Sequence, residues 1–481
     1  MKYRNNFIGV MLTSTSALGL PAAASDQVPQ IIDLSSKTIE RQLTQGRGNH
    51  LLTNTSVWSP DSQWIVYDTP PDPTRFSGTR IEQVNVETGA VELLYESQHG
   101  ANCGVATYHP TEPKVVFILG PEHPTPDWDY AFTRRRGVIV DVRAPKQIRP
   151  LDAMNYAPPY VAGALRGGSH VHVFSRDGQW GSFTYEDEIL ARQALAPDTG
   201  QSPNTPEPNQ RNIGVFVPQG PVRVNRNHPR NHDGDYFSVV VSRTVAQPEA
   251  GSDAISRAFE ESWIGQDGYI REDGSRQKRA LAFQGMVTAA DGQTFPEVFI
   301  LDLPEDLTRA GDLPLEGSDT RWPAPPLGVS QRRLTFTTER LFPGIQGPRH
   351  WLRSSPDGSK IAFLMKDDDG IPQLWLVSPL GGAPKQLTHN PWSITSAFSW
   401  SPDGRFIAYV MDHSVFITEA TSGHSFRLTA RSPEAVAPQF HACVFSPDGQ
   451  NIAFVRRLPY STDEYYQICV LGVPPIPDQS L

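Results

Sequence analysis

The sequence predicts an all-β protein, a seven-bladed β-propeller closed by strand exchange. Three observations predict it: one turn phrase recurs along the chain, each good copy is followed by further short strands, and the two chain ends each carry part of one unit. The 44 Pro and 38 Gly, spread over 481 residues, fit a fold of many short strands joined by turns.

The phrase first appears as Trp58-Ser59-Pro60-Asp61-Ser62, before the apolar run Ile65-Val66-Tyr67. It returns as Phe174-Ser175-Arg176-Asp177-Gly178 and as Ser355-Pro356-Asp357-Gly358 before Ile361-Ala362-Phe363. Trp400-Ser401-Pro402-Asp403-Gly404 and Phe445-Ser446-Pro447-Asp448-Gly449 are the last copies, and Tyr108-His109-Pro110 is a weaker one. The physics is that of a hairpin: Pro fixes φ, Gly accepts a positive φ, and Asp caps backbone N–H groups. A third strand follows, such as Gln373-Leu374-Trp375-Leu376-Val377. A fourth closes on Leu-Thr, as in Gln386-Leu387-Thr388 and Arg427-Leu428-Thr429. Four antiparallel strands per unit make a propeller blade.

Innermost strands are predicted before Pro60, Pro110, Arg176, Pro356, Pro402 and Pro447, with one more within 222–241. That makes seven blades. The fourth is degenerate, so six or eight stay open as alternatives. The stretch at about 245–330 departs from the repeat and reads as an insertion on the fourth blade. Within it, Ile255, Ala258, Phe259 and Trp263 have helical spacing, and Ser252 precedes them as an N-cap.

The chain ends predict the closure. Arg41-Gln42-Leu43-Thr44 is an outer-strand signature with no blade before it. The last blade ends after its third strand, at Val473-Pro474-Pro475, which cannot be a central strand. The segment from Ile39 to Thr44 is therefore expected to complete the last blade.

Residues 1–25 read as a signal peptide: Lys2 and Arg4, a short apolar stretch from Phe7 to Leu20, then small residues from Ala22 to Ser25. The expectation is a periplasmic or secreted protein, with 26–481 as a single propeller domain. The net charge of -10 argues against nucleic acid as a partner, which would need a basic stripe. No other stretch is long and apolar enough to span a membrane. Three cysteines, Cys103, Cys443 and Cys469, cannot form a disulfide framework, though one pair can form.

The Ser-Pro-Asp-Gly, Ile-Ala-Phe and Leu-Thr pattern resembles the TolB-like propeller repeats. At finer grain, Arg135-Arg136-Gly137-Val138, Leu165-Arg166-Gly167-Gly168-Ser169-His170-Val171-His172 and Pro348-Arg349-His350-Trp351 are similar to the YidR-like proteins, a family without an established activity. The His170-Val171-His172 spacing before a blade turn also resembles the oligogalacturonate lyases. That resemblance implies a histidine-bound metal in the channel.

In a propeller the innermost strands line the central channel. Aligned on the turn, His170, His350 and His441 all fall six residues before the Pro position, and His172 is two beyond His170. A ring of imidazoles would hold a divalent metal such as Mn, Zn, Ni or Fe. His50, Arg166 and Arg349 stand at strand starts as candidate ligand-binding residues. Arg166 and Arg349 are also the candidate catalytic groups, since guanidinium suits a carboxylate. Two functions follow. One is an exported propeller that binds a glycan or an envelope protein at its channel. The other is a metal-assisted lyase of an acidic polysaccharide, using the channel histidines and arginines.

Overall fold

The computed structural model describes residues 31–195, 210–347 and 351–476. The expected leader lies outside them, as do Arg349 and His350. The chain forms seven blades in ring order. Seven apolar clusters join them, one at each interface between neighbouring blades, the last of which packs Val444, Val455 and Ile468 against Ile65, Tyr67 and Val84. That last interface joins blade seven to blade one, so the ring is closed.

The turn phrase does what its residues dictate. In five copies the Ser hydroxyl donates to the Asp carboxylate at 2.5–2.7 Å. The same Ser oxygen accepts the backbone N–H five residues on. Gly178, Gly358, Gly404 and Gly449 take φ of 72–74°; in the first copy Ser62 takes 61°, a conformation disfavoured for a side chain.

Closure is by the N-terminal segment, as expected, and it is double. Glu40–Gln42 pairs antiparallel with Asp463–Gly472 as the outermost strand of blade seven. Before it, Ile31–Asp33 adds a parallel strand to the edge of blade six. Leu34 and Leu43 are buried in the two clusters that flank blade seven.

The fourth blade corrects the sequence reading. Phe237–Val240 is the outermost strand of blade three, and the innermost strand of blade four is Ile255–Trp263. The 245–330 stretch is thus most of a blade: Ala280–Thr288 and Thr294–Asp302 follow, and Ser330–Arg333 completes the sheet. Its added parts are the hairpin of Tyr269–Ile270 with Arg276–Gln277 and the loop at 303–329. The predicted helix is a strand because its register slips twice, between Ile255 and Ala258 and between Phe259 and Ser262. Each slip adds a residue, so Ile255, Ala258 and Glu261 are buried at every third position. That period imitates a helix face.

Cys103, Cys443 and Cys469 are free, buried thiols. Burial pushes all three above the usual thiol range.

Candidate functional site: the central channel

The innermost strands give the channel two ends with different chemistry. At the end where these strands start, His170 sits in a buried polar network. Arg135 donates from Nη2 to His170 Nδ1 at 2.8 Å and to Glu186 Oε2 at 2.7 Å. Arg211 Nε donates to Glu186 Oε1 at 2.7 Å. Burial and the two guanidiniums hold the His170 pKa well below its ordinary value. Its Nδ1 lone pair is engaged by a cation, so Nε2 carries the proton in the neutral ring. Neither nitrogen is available to a metal in this state, and the adjacent guanidinium would repel one.

His172 does not share the face of His170. Val171 takes φ 57° and the register shifts between His170 and Val173, so the alternation expected of a strand is broken. The His172 ring turns into the interface of blades two and three, 5.8 Å from Phe183, and a Cβ on Gly137 would meet its Nε2. Its Nε2 lies 3.1 Å from Ser169 Oγ, which donates to Asp152 Oδ2 at 2.6 Å. This buried trio has no opening to a substrate, and its carboxylate holds the serine rather than His172 Nδ1. It is a structural network.

His441 stacks on Phe440 at 4.1 Å and meets Tyr466 edge-on. His50 Nδ1 lies 3.3 Å from the Tyr466 carbonyl, and burial lowers its pKa. Arg166 is spent: Nε donates to Asp187 at 2.7 Å, and its terminal nitrogens donate to the carbonyls of Ser318 and Arg321. Among the described residues, no group of three or more His, Cys, Asp and Glu is placed to hold a metal ion.

At the other end, where the turns lie, a cavity of about 240 Å³ opens inside the ring. All seven turn positions line it: Pro60, Pro110, Arg176, Gln266, Pro356, Pro402 and Pro447. Blade four supplies its copy as Gly265-Gln266-Asp267-Gly268, which the sequence reading missed because Gly and Gln replace Ser and Pro. The Asp-Gly pair, and Gly268 at φ 68°, are the signal that finds it. Five apolar rings of proline are thus interrupted, at neighbouring blades, by one cation and one amide.

Arg176 lies deep within the ring, and burial lowers its pKa, yet water reaches the side chain through the channel mouth. It makes no hydrogen bond or ion pair with any of the described residues. Trp58, Trp263 and Trp400 stand in the wall, each indole N–H donating to a carbonyl of the preceding blade at 2.9–3.1 Å. These bonds fix the rings; Trp58 and Trp400 are buried in the interface clusters, and Trp263 is partly exposed.

Arg353, from the innermost strand of blade five, also lines the cavity. Its Nη2 donates to Asn54 Oδ1 at 2.7 Å and to the Asn54 carbonyl at 3.3 Å. Asn54 belongs to blade one, which is not a neighbour of blade five, so this side chain crosses the channel. Burial and Arg176 push its pKa down to about 10, with Glu260 and Glu261 acting the other way.

With this geometry in place, three comparisons bear on the chain. Residues 102–232 match the family of proteins of unknown function DUF3748, and residues 381–457 match the dipeptidyl peptidase IV N-terminal region. The chain is 47% identical over 420 residues to the uncharacterized protein YidR of Escherichia coli (strain K12), covering 86% of this chain and 94% of that protein. The chain belongs to the YidR family. Among solved structures, this YidR-family chain is similar to an oligogalacturonate lyase in complex with manganese, at TM-score 0.51 and 14% identity over 92% of this chain and 95% of that one. It is also similar to the oligogalacturonate lyase of Vibrio parahaemolyticus, at TM-score 0.50 and 12% identity over 92% and 96%. Those two likenesses show the propeller fold. No helix among the described residues is long and apolar enough to cross a membrane.

Proposed function

We propose that the protein is an exported binding propeller that takes an acidic oligosaccharide into the turn end of its channel. The observation that carries this reading is Arg176. It is the one charged residue among the seven turn positions, water reaches it, and no described residue neutralises it. A guanidinium in this setting favours a carboxylate or another planar oxyanion. Gln266 on the next blade adds an amide, and the partly exposed Trp263 suits the apolar face of a sugar ring. The similar fold of proteins named oligogalacturonate lyase supports an acidic glycan as the class. The leader supports export, with cleavage after Ala24 or Ser25.

Calorimetric titration of the mature protein with oligogalacturonates, and with neutral oligosaccharides of the same length, tests the reading. The acidic series should bind, more weakly as salt rises, and the neutral series should not. Equal binding of both, or of neither, would overturn it. N-terminal sequencing of the protein from an envelope fraction tests cleavage and export; a chain found in the cytosolic fraction with Met1 or Lys2 intact would contradict them.

A further inference from the structure

We infer that Arg353 and Asn54 form a crossbar that makes the turn-end pocket one-ended, so that the site takes the terminus of an acidic chain and not its interior. The inference rests on the binding reading above and adds the specificity of that site. Arg353 reaches from blade five to blade one. Two blades separate these on one side of the ring and three on the other, so the contact spans the axis.

The crossbar is held through the two terminal nitrogens of Arg353 and through its backbone, while its Nε has no partner. Trp400 of blade six donates to the Arg353 carbonyl at 3.0 Å. Arg353 Nη1 donates to the Leu352 carbonyl at 2.8 Å, and the guanidinium lies over the Trp351 ring at 5.6 Å. Asn54 is buried, and Thr55 and Ser56, which follow it, line the cavity, as does Ser354 beside Arg353. Both ends of the bar therefore stand at the inner limit of the pocket. Its two terminal nitrogens serve the protein, whereas Arg176, which water reaches, serves none of the described residues.

Size supports the same conclusion. A volume of about 240 Å³ falls just below the roughly 300 Å³ at which small-molecule sites begin. One sugar residue fits; a threaded chain, which needs an exit past the bar, does not. The terminal residue would enter with its carboxylate on Arg176, and further residues would extend out of the mouth.

The test is a titration of the mature wild-type protein with galacturonate oligomers of one to six residues and with long polygalacturonate. Affinity should rise over the first one or two residues and then level off. Long polymer should bind a number of protein molecules fixed per chain, whatever its length. If the number bound grows in proportion to polymer length, the interior is recognised and the inference fails. If no oligomer binds at all, it is the binding reading that fails. A second arm uses Arg353→Met, with folding verified by thermal melting. Removing the bar should let the number bound per chain grow with polymer length. If a folded Arg353→Met protein keeps the wild-type count, the bar does not set the chain-end limit.

Discussion

The two ends of the channel are built on the same innermost strands and carry the same kinds of residue, yet they differ in how completely their charges are answered. At the strand-start end, Arg135 and Arg211 share the Glu186 carboxylate and Arg135 also donates to His170, with Arg135 Nε left without a partner. At the turn end, Arg176 has no partner among the described residues, and Arg353 is held by an amide and carbonyls instead of a carboxylate. Cations already paired with a carboxylate have little left for an anionic ligand. An unanswered cation held inside a wet cavity is a standing demand for an anion. The proposed site is therefore the end whose cation lacks a carboxylate, although the histidines cluster in sequence at the other.

The change that should erase this contrast altogether is loss of closure. Deleting residues 26–44 removes both N-terminal strands, and with them Leu34 and Leu43 from two interfaces. Each buried leucine contributes about 1.5–3 kcal/mol, before the lost strand pairing and the Glu40–Arg456 ion pair are counted. Chemical denaturation should show a much lower midpoint and reduced cooperativity, and both ends should lose their properties together.

Next in size is Glu186→Leu. It strands Arg135 and Arg211 beside each other without their shared carboxylate, which should cost about 3–5 kcal/mol in a denaturant titration. If the ends are independent, acidic-ligand affinity at the turn end should stay as in the wild type.

A smaller effect comes from His170→Gln, which keeps an acceptor for Arg135. The His170 pKa is depressed in the folded protein, so its contribution is fully present above the unfolded value of about 6.5. It is lost as pH falls from there, because the unfolded chain takes up the proton first. Wild-type stability should therefore drop relative to the variant below about pH 6.5, by at most about 1.4 kcal/mol per pH unit. Asp68 and Glu261, which burial raises to about 7, act with the opposite sign. Their contribution is present at low pH and lost as pH rises toward 7; it is common to both proteins and cancels in the difference. Parallel stability curves would mean that His170 does not titrate as described.

Much of the fold was legible because the turn phrase carries its own mechanism: Ser, Asp and Gly dictate one local geometry wherever they recur. Closure was legible because strand-like sequence at one end matched a missing strand at the other. Blade four was hidden by two bulges, which changed a strand period of two into a burial period of three across Ile255, Ala258 and Glu261. His170 and His172 part for a related reason. Equal offsets from the turn place residues at one height on a strand, but a bulge such as that at Val171 decides which way each side chain points. Arg176 was in plain view as the residue in place of proline, and its meaning appears only when all seven turns are seen to line one cavity.

The central claim is that an unpartnered guanidinium at the turn end holds the ligand. Calorimetry of Arg176→Ala with a galacturonate oligomer, beside a thermal melt, tests it most directly. A hydrogen bond to a charged group contributes roughly 1.5–3 kcal/mol, so affinity should fall roughly tenfold to a hundredfold. The melting temperature should hold, since Arg176 bonds to none of the described residues. An Arg176→Ala protein that binds the oligomer as tightly as the wild type would contradict the account.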